Sequence, residues 1–198
     1  ALTMVLGLAT MASAAGETTY TMIDKVENLA AGSYYMAGYL ESYTSNGTPY
    51  DWSANPYHLF NGVSTDLYTT PYSYTDGVLA KKAGEQYDAN KIELVAVSGK
   101  TNTYYVKYDG KYLYSSKLEN RKLGLTETAT EWVATNNSNG GITLTTTVGD
   151  GTVSIGTAGA TSKMIRSYKS ESTLKYGLVF FKEGAPSHTH DYTNATPT

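Results

Sequence analysis

The sequence predicts an all-β protein, and three observations carry that prediction. Tyrosine occurs nineteen times, against three phenylalanines and two tryptophans, and both tyrosine and threonine favour the half-buried surface of a pleated sheet. The pairs Asp76-Gly77 and Asp109-Gly110 lie between strand-forming residues, and Asp-Gly accepts the positive φ angles of a type I′ hairpin turn. Apolar residues and threonines alternate over Ile142–Val148, so we expect antiparallel strands with a threonine face turned to solvent.

The order of elements follows from the same signals. Residues 18–24 form the first predicted strand, and the Asp24…Glu27 spacing of a capping box, with Gly32 as a stop, predicts one short helical turn near residues 25–31. Residues 33–41 are apolar on both alternating faces, which is typical of a fully enclosed strand. A tight turn is predicted within residues 148–153, and the last strand over residues 176–182.

A weak internal repeat predicts how these strands are arranged. Residues 92–125 and 132–181 share a similar succession of long and short strands, and a degenerate third copy precedes residue 80. Units of this kind suit a closed antiparallel β-barrel of trefoil type, in which closure removes exposed strand edges. Five apolar residues fall on the inward phase of their strands and are expected to share one core: Trp132, Leu144, Ile155, Ile165 and Phe180.

The two ends of the sequence differ in composition from the part between them. Residues 1–14 are an apolar run that closes on Ala12-Ser13-Ala14, which resembles the end of a cleaved signal peptide and is too short to span a bilayer. Residues 15–184 are expected to form one all-β domain, and residues 185–198 a polar tail or the start of a linker. We therefore expect a secreted or cell-surface protein that has no membrane insertion after signal cleavage.

Charge and reactive side chains narrow the classes of function. The formal net charge is −3, with arginine only at Arg121 and Arg166, so nucleic acid is not expected as a partner. The chain has no cysteine, and no nucleophile and base can be assembled around His58. We therefore expect no cofactor, no catalytic residue and no metal, since His188-Thr189-His190-Asp191 offers no evident third ligand. Glu127 and Glu131 leave glycoside hydrolysis open as an alternative.

The segment 43–58 is the best candidate for a binding surface. It is a long predicted loop, braced by two prolines, in which aromatic planes alternate with short polar groups. Sugar rings stack their C–H faces on such planes, while their hydroxyls need nearby donors and acceptors. The candidate ligand-binding residues are Tyr50, Trp52, Tyr57, Asp51, Asn46 and Asn55. In the alternative interpretation, Trp52 folds back to plug one end of the barrel with Tyr57 beside it.

Several motifs resemble those of a little-characterised group of proteins. These are LAAGSYYM at residues 29–36, KYL at 111–113, TEWV at 130–133, KMIRSY at 163–168 and LVFFK at 178–182. They are similar to motifs of Tyr-rich β-barrel accessory modules in large secreted or surface proteins of gut-type anaerobic bacteria. The resemblance implies a non-catalytic, carbohydrate-binding or adhesive module, with an extracellular glycan and further domains of the same polypeptide as partners. A structural spacer that presents other modules is the alternative.

Overall fold

A computed structural model describes residues 19–63, 65–67, 72–81, 91–158, 164–169 and 174–184. The predicted signal-like segment 1–14 and the polar tail 185–198, with its two histidines, lie outside these residues. The described chain is all-β, as predicted, apart from one 3₁₀ turn at Val26–Asn28. Its sixteen strands are β1 (Thr19–Ile23), β2 (Gly32–Tyr39), β3 (Tyr43–Ser45), β4 (Thr48–Tyr50), β5 (Tyr57–Leu59), β6 (Tyr72–Thr75), β7 (Val78–Lys81), β8 (Lys91–Ala96), β9 (Thr103–Tyr108), β10 (Lys111–Ser115), β11 (Leu123–Thr126), β12 (Glu131–Asn136), β13 (Ile142–Val148), β14 (Gly151–Gly156), β15 (Arg166–Tyr168) and β16 (Leu178–Glu183).

Six strands pair in a ring. The order of pairing runs β13-β12-β9-β8-β2-β16, and β16 pairs again with β13 where Ile142 faces Leu178. All of these pairs are antiparallel. Strands β1, β7 and β6 continue outward from β16, while β3 and β4 form a separate two-stranded sheet.

The ring consists of three consecutive units, each of which begins and ends with strands that pair with each other. Strand β2 pairs with β8 in the first unit, β9 with β12 in the second, and β13 with β16 in the third. Between the two paired strands of each unit the chain makes an excursion, which is β10–β11 in the second unit and β14–β15 in the third. The three units also meet in sequence, since β8 pairs with β9, β12 with β13 and β16 with β2.

Among the described residues, the larger of two apolar clusters contains side chains from all six strands of the ring and from the segments next to them, and we call it the inner cluster. The five predicted core residues all belong to it, and all are buried, which confirms that prediction. Trp132 is fully buried, and its indole Nε1 donates a hydrogen bond to the Leu113 carbonyl oxygen at 2.9 Å. Because this buried indole N–H has a hydrogen-bond partner, the cost of removing it from water is compensated.

A second, smaller cluster lies on the opposite face of β2 and β16, and we call it the outer cluster. Its buried members are Tyr20, Tyr35, Ala37, Leu59, Leu79, Val179 and Phe181. Strand β2 is buried from Tyr34 to Gly38 because its alternate residues face the two clusters in turn. This arrangement confirms the sequence prediction of a strand enclosed on both faces.

The predicted Asp-Gly turns are confirmed. Asp76 and Gly77 join β6 to β7 with φ of 48° and 82°, and Asp109 and Gly110 join β9 to β10 with φ of 51° and 73°. Positive φ at both central positions is the type I′ geometry, whose twist matches that of the flanking strands.

One local prediction is wrong, and another holds only in part. The 3₁₀ turn begins after Lys25 without a side-chain cap, and the Val26 N–H instead donates to Asn136 Oδ1 at 2.8 Å, so the Asp24…Glu27 capping box does not form. The threonine face of β13 is not simply solvent-exposed, because Thr143 is buried and its hydroxyl accepts a hydrogen bond from Asn137 Nδ2. A hydroxyl with a local partner can be buried at little cost.

Candidate functional site

Part of the predicted binding loop is a β-hairpin. Strands β3 and β4 pair through Asn46 and Gly47, whose φ values are 49° and 78°. The prediction of a loop over 43–58 is therefore wrong for its first half, because Asn-Gly supplies the same type I′ turn as Asp-Gly. Asn46 occupies a position that few residue types other than glycine and asparagine accept. Across the hairpin, the rings of Tyr43 and Tyr50 stack 4.8 Å apart at 11°.

Asp51 is exposed, and its carboxylate organises the chain that follows the hairpin. One oxygen, Oδ1, accepts hydrogen bonds from Ser42 Oγ at 3.0 Å and from the Ser53 N–H at 2.9 Å. Ser42 Oγ in turn accepts the Trp52 N–H at 2.8 Å. Hydrogen bonds from Ser53 and Ser42 stabilise the ionised carboxyl and hold the pKa of Asp51 below its usual range.

Trp52 lies between the hairpin and the interior. Its side chain is half-buried against the inner cluster. The centre of its ring lies 4.6 Å from that of His58, with the two planes at 87°, and 6.3 Å from that of Tyr50. Among the described residues, its buried Nε1 has no hydrogen-bond acceptor. Trp52 therefore serves in part as a packing residue, as the plug interpretation expects, and still presents part of its surface.

Asn55 connects this turn to β5. Its N–H donates to the Trp52 carbonyl oxygen at 3.0 Å, and its own carbonyl oxygen lies 3.2 Å from Nε2 of the buried His58. The backbone of Asn55 thus fixes the short path from Trp52 to β5. Its side chain is half-buried.

Tyr57 lies apart from the other predicted binding residues. Its ring contacts Tyr74 at 4.9 Å, Phe181 at 5.9 Å and Tyr39 at 5.6 Å, which places it beside the outer cluster. Burial raises the pKa of Tyr57 to about 12, and Tyr74, Tyr39 and the charge of Asp24 act in the same direction. The predicted site therefore divides into the hairpin residues and a second surface that contains Tyr57.

That second surface is a groove of 260 Å³, which we call the tyrosine groove. Tyr39, Tyr57 and Tyr176, all half-buried, form its aromatic wall, and the rings of Tyr39 and Tyr176 lie 4.7 Å apart at 60°. Its other lining residues are Asp24, Asn139, Gly140, Gly141, Gly177 and Val179. Strand ends from the first and third units of the ring thus meet at this groove.

Two glycines allow the floor of the tyrosine groove to form. A Cβ on Gly177 would lie 2.5 Å from the Ile142 nitrogen, and one on Gly141 would lie 2.8 Å from the carbonyl carbon of Gly177. The Gly177 N–H also donates to the Gly140 carbonyl oxygen at 3.0 Å. Since neither contact leaves room for a side chain, the backbone itself lines the groove here.

One end of the aromatic wall is fixed by a charged network. Lys175 Nζ contacts the two carboxylate oxygens of Glu41 at 2.9 and 2.7 Å, and the Tyr176 hydroxyl donates to the same carboxylate. These hydrogen bonds, led by that of Lys175, lower the pKa of Glu41, and the bond to Glu41 raises the pKa of Tyr176. Glu41 and Lys175 therefore compensate each other's charge while orienting Tyr176.

A larger concave surface of 580 Å³ lies on the outer face of β12, β13 and β14. Most of its described lining residues are threonines. The lining also includes Val133, which is 45% exposed, and no aromatic ring. The carboxylates considered for hydrolysis are both near this region in sequence, and each is held in an exposed salt bridge, Glu127 with Lys111 and Glu131 with Lys100. This surface therefore offers no ring on which a sugar could stack.

Sequence reasoning missed Tyr39 and Tyr176 as candidate binding residues. Both lie in segments that were predicted as strands, residues 33–41 and 176–182. The ring of Tyr39 contacts those of Tyr57 and Tyr176 only because β2, β5 and the chain before β16 converge. The available signal was the Tyr-Gly pair at Tyr176-Gly177, which combines an aromatic ring with a position where the backbone approaches closely.

Among the described ranges, no three His, Cys, Asp or Glu side chains lie together as a metal site would require. The same part of the chain contains no helix that is long and apolar enough to cross a membrane. Comparison with models of protein families, with curated proteins and with solved structures found no match in any of the three. The two aromatic surfaces are therefore the features from which a function can be inferred.

Proposed function

We propose that the six-stranded ring is a closed β-barrel of trefoil type. The support is the threefold use of one connection, in which the first and last strands of each unit pair and successive units pair in order. Closure depends on the junction of β13 and β16, which pairs Ile142 with Leu178. In a closed barrel, the amides at this junction should exchange with deuterium as slowly as those of β9 in the middle of the ring.

We further propose that the protein is an exported, non-catalytic accessory module of a bacterial surface or secreted protein, and that it binds carbohydrate. The observation that carries this function is the tyrosine groove, where three half-buried rings surround one concave surface. Rings held at different angles offer planes to successive sugar rings, and the adjoining carboxylate and amide provide hydrogen-bond partners. Because the rings are already packed, little entropy is lost on binding.

The hairpin residues extend this proposal. The stacked Tyr43 and Tyr50 rings and the exposed part of Trp52 form a second aromatic surface before β5. Asp51 and Asn46 act there mainly through the hydrogen bonds and turn that hold the hairpin. The predicted binding residues Tyr50, Trp52, Tyr57, Asp51, Asn46 and Asn55 thus remain part of the proposal, with Tyr57 assigned to the groove.

A structural spacer is the second candidate, and one observation favours it. Trp52 packs against the inner cluster, as a residue that plugs the end of a barrel would. If Trp52 serves packing alone, the hairpin needs no ligand to explain its aromatic residues.

A glycan array probed with the full chain tests the function directly. We expect weak binding to a defined set of extracellular glycans, which Tyr176→Ala abolishes because one side of the groove is lost. Tyr112→Ala is the matched control, since Tyr112 is a half-buried tyrosine with an edge contact to Tyr105 at 6.0 Å, outside both aromatic surfaces. Binding to no glycan, or equal losses in both folded variants, would favour the spacer.

A further inference from the structure

The charged side chains in and near the tyrosine groove differ in whether they have a partner of opposite charge. Of the described residues that line it, Asp24 alone is charged. Within the described residues, its carboxylate has no hydrogen-bond or ion-pair partner, whereas the nearby Glu41 is paired with Lys175. The groove therefore presents one uncompensated negative charge to whatever enters it.

The carboxylate lies close to the aromatic wall. Asp24 follows β1 directly and lines the same groove as Tyr57. Its charge is the smallest of the influences that raise the pKa of the Tyr57 hydroxyl. Tyrosine faces also attract cations through the ring quadrupole. Lys175 Nζ already lies 5.5 Å from the centre of the Tyr176 ring, so the rings of Tyr39 and Tyr57 are the ones that can attract a ligand cation. The Asp24 carboxylate and the tyrosine rings thus both favour a positively charged group on a ligand and disfavour a negatively charged one.

We propose that the tyrosine groove selects glycans that carry a protonated amine, such as deacetylated amino sugars, over neutral and acidic glycans. This inference rests on the proposed function and adds the chemical class of the ligand. The sugar ring would stack on the tyrosine wall while its ammonium group contacts Asp24. A uronic acid in the same place would put two carboxylates together in a partly dehydrated groove, which is unfavourable.

The test compares three tetrasaccharides of the same length with the full chain, by titration calorimetry or NMR shifts. One is a chitin oligomer with a single free amine, one is its fully N-acetylated form, and one is an oligogalacturonate. We expect the amine to bind about three- to tenfold more tightly than the acetylated form at low salt, with the galacturonate weakest. Added salt should reduce this preference, because a partly exposed ion pair is screened.

Asp24→Asn is the informative variant, since it keeps the shape of the side chain and removes the charge. It should abolish the preference for the amine and leave binding of the acetylated oligomer within about twofold. Asp150→Asn is the matched control: it removes an exposed carboxylate from the turn at the opposite end of β13 from Gly141. The preference should persist in that variant.

The outcomes separate the inference from the function on which it rests. If glycans bind with no preference for the amine, or if the preference survives in Asp24→Asn, the inference is wrong and the proposed function stands. If no glycan binds at all, both are wrong. Tetralysine is included as a cation without a sugar ring, and tetralysine binding as tight as that of the amine oligomer would overturn selection of a glycan.

Discussion

The two faces of β16 show how one strand can support two different kinds of apolar packing. Phe180 faces the inner cluster and Phe181 the outer cluster, and both are completely buried. The inner cluster contains side chains from all six strands of the ring and is dominated by aliphatic residues. The outer cluster has tyrosines at its margin, including the half-buried Tyr57 and Tyr74. The difference indicates that the inner cluster fixes the fold, while the outer cluster borders the surface where binding is proposed.

Loss of Trp132 should have the largest effect on stability. Trp132→Ala removes the largest fully buried side chain and leaves the buried Leu113 carbonyl oxygen without its indole donor. We expect a loss of about 5 kcal/mol in the free energy of unfolding, measured by urea denaturation. Trp132→Phe should cost clearly less, because it keeps most of the volume. Equal midpoints for the parent and Trp132→Ala would show that the inner cluster does not hold the fold.

Phe180 and Phe181 allow the two clusters to be compared directly. Phe180→Ala should cost about 3–5 kcal/mol, because the surrounding ring cannot collapse onto the cavity. Phe181→Ala should cost less, about 2–3 kcal/mol, because the half-buried tyrosines at the margin can move inward. Both values come from the same urea experiment. A larger loss for Phe181→Ala would reverse the roles assigned to the two clusters.

Gly177→Ala should disturb the junction between β13 and β16. The added Cβ would meet the Ile142 nitrogen at 2.5 Å, so one of the two segments must shift, at a cost of about 1–3 kcal/mol. Gly184→Ala is the control, since its Cβ would lie 3.4 Å from Thr19 Oγ1. Thermal unfolding of the two variants should separate them, and equal stability would mean that the junction tolerates displacement.

Alkaline pH should destabilise the outer cluster. The pKa of Tyr57 rises from 10.0 to about 12 on folding, mainly through burial. Its contribution to stability is therefore complete below pH 10 and is lost as the pH rises toward 12, because the unfolded chain ionises first. In Tyr57→Phe, the free energy of unfolding should fall less steeply over this interval than in the parent. Parallel curves would show that Tyr57 ionises equally in both states.

Trp52→Ala should have the smallest effect of the set. The side chain is half-buried and its Nε1 makes no hydrogen bond to the described residues, so we expect a loss of about 1–2 kcal/mol. A loss as large as that of Trp132→Ala, measured in the same denaturant series, would support the plug interpretation.

The sequence predicted what depends on short-range patterns. The Asp-Gly turns, the doubly apolar β2 and the inward phase of Trp132 are each encoded within a few residues, so they could be predicted without knowledge of the fold. Asn46-Gly47 is the same kind of turn signal, but it was predicted as part of one long loop over residues 43–58. The tyrosine groove could not be predicted in the same way, because Tyr39, Tyr57 and Tyr176 meet only through pairings that join distant strands.

The position of β16 has a consequence for the order of folding. Of the described strands it comes last in sequence, yet it pairs with β1, β2 and β13 and contributes to both apolar clusters. A chain emerging from the ribosome therefore cannot complete either cluster until β16 is made. Pairings such as Phe181 with Tyr35 also close long loops, which slows folding. The nascent chain should accordingly remain open to proteases and chaperones until synthesis of this segment is finished.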